Sequence, residues 1–82
     1  MNRERRRSVS IARDTIRRAK DMLASASSLL DRMADEEQDA LDNTPEAFQG
    51  TDRYYDSEKA ADTLTDVVSS LDDIITDLGE IL

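Results

Sequence analysis

Cysteine, histidine and tryptophan are absent from this 82-residue chain, which holds only two glycines, one proline and three aromatic residues. Without cysteine no disulfide can staple a small fold, and without cysteine or histidine the usual zinc sites are excluded. Serines are plentiful, but a nucleophilic triad of the familiar kind lacks its histidine base. The Glu-x-x-His pair of di-iron bundles cannot exist either. Carboxylates such as Asp35, Glu36, Glu37 and Asp39 match no EF-hand loop and read as a solvated helix face. No apolar run could span a bilayer, and Met1-Asn2-Arg3-Glu4-Arg5-Arg6-Arg7 is followed by none of signal-peptide length. The expectation is a soluble, cytoplasmic protein that is not an enzyme, uses no cofactor or metal and meets no membrane.

What the chain does have is helical rhythm. Val9, Ala12, Ile16, Ala19, Leu23, Ala26, Leu30 and Met33 alternate steps of three and four, and Ala60, Leu64, Val67, Leu71, Ile74, Leu78 and Ile81 do the same. Apolar residues at that spacing line one side of an α-helix and must be buried against something. Met22 and Leu29 add a second edge to the first helix. Ala61, Val68, Ile75 and Leu82 add another row to the second. The fold class is therefore all-α, an antiparallel two-helix hairpin in one domain over 1–82. Helix one is placed at about 3–41, a loop with a short helical turn at 42–51, and helix two at about 52–82. A chain this short buries only about 60% of its unfolded surface, so small scaffolds lean on staples or partners. A second copy is the remaining route, and the extra apolar row suits a homodimer forming a four-helix bundle.

Charge is unevenly spread. Residues 1–20 carry eight Arg or Lys against two acids, residues 31–56 nine acids against two Arg, and residues 57–82 seven acids against Lys59. The basic start and the acidic end both sit at the wrong ends of their helices for the macrodipole, at some tenths of a kcal/mol per exposed charge. A hairpin would offset this if the basic start lay near Asp72, Asp73, Asp77 and Glu80. Arg5, Arg6 and Arg7, at the far end, are candidates for holding a phosphate. Direct DNA binding is not expected, because the acidic helix two is tethered alongside and competes. DNA mimicry is not demanded: helix two spreads its acids at about one net charge per 6.5 Å, against about one per 1.7 Å of duplex.

The connection holds the lone proline and every aromatic. Thr44-Pro45-Glu46 reads as an N-cap, first-turn proline and first-turn acid, and Gly50 as a left-handed stop; Thr51 or Ser57 caps helix two, Thr51 being favoured because Tyr54 extends the apolar spacing back from Ala61 and Leu64. Phe48, Tyr54 and Tyr55, with Asn43, Gln49 and Arg53, form the candidate partner-binding group. Two readings of the aromatics stand: a contact surface, or a plug closing the bundle near Glu37.

The stretch Glu36-Glu37-Gln38-Asp39-Ala40-Leu41-Asp42-Asn43-Thr44-Pro45-Glu46-Ala47-Phe48-Gln49-Gly50 resembles a family of small, acidic, helical proteins of phages, prophages and other mobile elements. The likeness lies in a basic start, an EEE-x-A-x-D-N-x-P-E-x-x-Q turn and a second helix of repeating acids and aliphatics. Tyr54-Tyr55 stands where related turns are more charged. A weaker likeness is to the WXG100 hairpins of type VII secretion, with Phe48-Gln49-Gly50 at the turn where those have Trp-x-Gly. The first resemblance implies a bacterial host cytoplasm and a non-enzymatic binding protein that inhibits a host factor, plausibly a defence system. Its partners would be a second copy of itself and a host protein. Two alternatives stand beside it: an oligomeric sponge for a nucleotide second messenger, and a structural adaptor in virion assembly.

Overall fold

Each helix begins and ends where side chains can satisfy its free backbone groups. The computed structural model describes residues 2–82. Asn2 has extended backbone and accepts the Arg5 N–H at 2.8 Å, opening helix α1 over Arg3–Asp42. At the far end the Asn43 amide donates to the Asp39 carbonyl and the Thr44 hydroxyl to that of Ala40, both at 2.8 Å. Pro45 follows and cannot continue the helix. A single 3₁₀ turn, Glu46–Phe48, leads to Gly50 at φ +88°, a left-handed conformation that glycine adopts without steric cost. Thr51 then caps helix α2, Asp52–Glu80, accepting the Tyr54 N–H at 3.2 Å and donating its hydroxyl to the Phe48 carbonyl at 2.9 Å.

The two helices lie antiparallel in an all-α hairpin 69 Å long and only 16 by 14 Å across. Their contact is one seam. From α1 it takes Ile16, Lys20, Leu23, Ser27, Leu30, Ala34, Glu37 and Leu41; from α2 it takes Ala61, Leu64, Val68, Leu71, Ile75, Leu78 and Leu82. Steps of three and four run through both sets, as two packed helices require. Burial is shallow. Ala61 at 3% exposed is the deepest residue, Ser27, Ala34 and Leu41 are the other buried ones, and no large side chain is fully enclosed. Two cylinders meet along a line, so each covers only one flank of the other.

This seam differs from the stripes that head the sequence reading. Leu23, Leu30, Leu64, Leu71 and Leu78 belong to both. Their companions, however, are the Ser27–Ala34–Leu41 and Ala61–Val68–Ile75 rows, while Ala12, Ala19, Met33, Ala60, Val67, Ile74 and Ile81 stay exposed. Each helix carries more apolar rows than one neighbour can cover, and rhythm alone does not say which pair turns inward.

Charge pairing across the hairpin does not form either. Among the described residues the single ion pair is Arg17 with Asp14 at 3.7 Å, within α1 and exposed. Register explains why. The Ser27 hydroxyl donates to Asp72 at 2.8 Å, and Lys20 lies against Gly79. Carried on, that pairing sets Leu82 opposite about Arg17. With 40 residues in α1 against 29 in α2, residues 3–15 project past the end of α2, all of them exposed. At 1.5 Å per residue the overhang is about 20 Å long. Most of the basic start thus lies beyond reach of Asp72, Asp73 and Asp77.

The two glycines should respond oppositely to alanine. At Gly50 the positive φ makes a side chain strained, so Gly50→Ala should cost about 1 kcal/mol. Gly79 is helical, and its added Cβ would meet only the flexible tip of Lys20, at 3.2 Å. Gly79→Ala should stabilise by about 0.5–1 kcal/mol. Urea unfolding followed by circular dichroism at matched protein concentration measures both.

Candidate functional site

Several large apolar residues outside the seam remain exposed, among them Met33, Val67, Ile74 and Ile81. On α1 the leucine row is flanked on one side by Ser27, Ala34 and Leu41 in the seam, and on the other by Ala12, Ala19, Ala26 and Met33. On α2 the leucine row is flanked likewise, by Ala61, Val68 and Ile75 in the seam and by Ala60, Val67, Ile74 and Ile81 outside it. Rows three and four residues on lie about 50° to either side of the first when the repeat is a heptad. Because the helices run in opposite directions, both outer rows emerge on the same side of the hairpin. Ser27 bonded to Asp72, with Lys20 against Gly79, marks the opposite, polar side. Ile74 is 47% and Ile81 59% exposed, and Met22, Leu29 and Met33 are exposed beside them.

At the loop end the three aromatics divide. Tyr54 is half-buried and falls on the seam row of α2 one heptad before Ala61. Phe48 and Tyr55 are 61% and 57% exposed. The Tyr54 and Tyr55 rings meet edge to face, centroids 6.2 Å apart at 74°. Phe48, Arg53 and Tyr54 line one recess of about 290 Å³ with Thr44, Thr51 and Ser57. Asn43 and Gln49 serve the loop itself: the Asn43 amide bonds the Asp39 carbonyl, and the Gln49 amide the Thr44 carbonyl at 3.2 Å. The aromatics are thus not one group: Tyr54 lies half-buried on the seam row, while Phe48 and Tyr55 face outward.

Arg5, Arg6 and Arg7 lie on the overhang, successive residues 100° apart around the helix, so they do not converge. Arg6 instead shares a groove of about 440 Å³ with Val9, Ser10, Arg13, Asp14 and Arg17. The spacing Arg6–Arg13–Arg17 carries that signal, and reading the arginine run as one block overlooks it. Within one copy Arg6 and Phe48 sit about 50 Å apart along α1, too far for one nucleotide to touch both. Among the described residues no three carboxylates gather to hold a metal, and no helix is long and apolar enough to cross a membrane. No family model, curated protein or solved structure matches the chain.

Tyr54 and the exposed pair should separate in stability. Tyr54→Ala should cost about 1–2 kcal/mol by opening the end of the seam, while Phe48→Ala should stay within about 0.5 kcal/mol. Equal losses in thermal unfolding would assign all the aromatics to one packed cluster.

Proposed function

We propose that this chain is a non-enzymatic binding protein that pairs two hairpins through the shared apolar face and presents its loop ends to a protein of a bacterial host. The observation that carries the reading is the face itself. Val67, Ile74, Ile81 and Met33 are large, aligned and uncovered in a single hairpin. At about 25 cal/mol per Å² of apolar area, covering them is the strongest driving force left in the molecule. A four-helix bundle satisfies it. The loop end then remains outside the bundle, with Phe48 and Tyr55 displayed among the acids of residues 31–56. Exposed aromatics ringed by polar groups are what a protein contact needs at its centre. With the resemblance of the turn to phage and prophage proteins, the reading becomes inhibition of a host factor, of which a defence component is one kind.

A second reading has one observation behind it, the groove joining Arg6, Arg13 and Arg17, which suits an anionic ligand such as a nucleotide. Calorimetry with cyclic and linear nucleotides tests it, and no heat from any of them discards it.

For the leading reading, the double variant Phe48→Ala/Tyr55→Ala should keep the helicity and mass of the parent. It should lose about tenfold or more of the affinity for the host protein that the parent retains from lysate. Unchanged affinity in a folded double variant removes the loop from the contact surface. Ile74→Glu is the complementary variant. It should drop the particle seen by light scattering to the 9.2 kDa of one chain.

A further inference from the structure

We propose that the second copy docks head to tail, with the two loops at opposite ends of the bundle and α1 packed along α1 of the other copy. This rests on the self-association proposed above and adds its orientation.

Charge supplies the first argument. The overhang, residues 3–15, carries five Arg against Glu4 and Asp14, a net of +3, whereas residues 31–56 carry a net of −7. If the two loops met at the same end, overhang would lie beside overhang and acidic end beside acidic end. Head to tail, each basic overhang lies along the acidic last turns of α1 in the other copy and stops short of the loop tip. Opposite potentials then face each other at both ends, and like charges at neither.

Length supplies the second. Val9 and Ala12 lie beyond the end of α2 and have no helix beside them. The loop end offers an uncovered groove between Met33 and Ala40 on α1 and Ala60 and Val67 on α2. Head-to-tail packing lays the first against the second. With the loops together, both would stay in water.

Register supplies the third. Full overlap of two antiparallel helices spanning Arg3–Asp42 pairs positions whose numbers sum to about 45. That sets Ala12 opposite Met33, Ala19 opposite Ala26 and Arg5 opposite Ala40. All six lie in the outer row of α1, so maximal overlap and heptad phase call for the same alignment. Each pair contains at least one alanine, which lets the helix axes approach closely. A two-fold axis across the helices generates this arrangement, and with Ser27 opposite Asp72 it brings α2 against α2 over roughly its last three turns.

Distances between spin labels test the orientation, and the chain has no native cysteine to interfere. Ser8→Cys and Ala47→Cys each place one label per copy, the first on the overhang and the second at the loop. Head to tail, the Ala47 labels of a dimer should lie beyond about 50 Å, and the Ser8 labels about 40 Å apart. Mixing the two labelled variants should add a separation under about 25 Å. Ala47 labels within about 30 Å of each other in a dimer overturn the orientation while leaving self-association in place. A mass of 9.2 kDa with no dipolar coupling at either site overturns the self-association itself. Salt gives a second reading: association should weaken between about 0.05 and 0.5 M NaCl. A dimer that tightens with salt has like charges together and contradicts the proposal.

Discussion

Two helices can bury one seam and no more, and the rest of this molecule depends on that limit. The amino-acid sequence supplies three apolar rows to each helix, and a hairpin consumes two of them. Ala61, Ala34 and Leu41 mark the depth that a pair of cylinders reaches by itself. Everything larger, from Met33 to Ile81, keeps one flank in water. A domain of this size has little hydrophobic stabilisation to spare, and these rows lie outside the seam. Polar and apolar sides also separate cleanly. Ser27, Asp72 and Lys20 lie on one side of the seam, and the unmatched aliphatics on the other.

The second constraint is unequal length. Because α1 outruns α2, its arginines are carried clear of the acids they would otherwise neutralise. The hairpin is left basic at one end and acidic at the other. The molecule is thus polarised in charge along its 69 Å. At the loop end Thr44, Gln49 and Thr51 direct their side chains to backbone groups of the connection, while Phe48 and Tyr55 face outward.

Much of the fold is legible from residue spacing, because two uninterrupted three-and-four rhythms separated by Pro45 and Gly50 admit few alternatives to a helical hairpin. Thr51 is legible as a cap because Asp52 and Tyr54 follow it at the right offsets. What spacing could not rank was which apolar row turns inward. On α2, Val67–Ile74–Ile81 and Val68–Ile75–Leu82 are equally apolar, and only the burial of the helix opposite distinguishes them. Net charge by segment suggests ion pairs across the hairpin. A sum carries no register, and Ser27 opposite Asp72 sets one that strands the arginines. At the candidate site, composition gathered six residues near the loop. It could not separate Asn43 and Gln49, which bond the connection, from Phe48 and Tyr55, which face outward.

The central claim is that the hairpin reaches its stability by covering the shared face with a second copy. The most direct measurement is the thermal unfolding midpoint, followed by circular dichroism, as protein concentration rises from about 1 to about 100 μM. Mass action over that range is worth about 2.7 kcal/mol, which for a domain of this size raises the midpoint by on the order of 10 °C. A midpoint that climbs in this way supports the account. A cooperative transition whose midpoint does not move with concentration would mean that one seam suffices, and would contradict it.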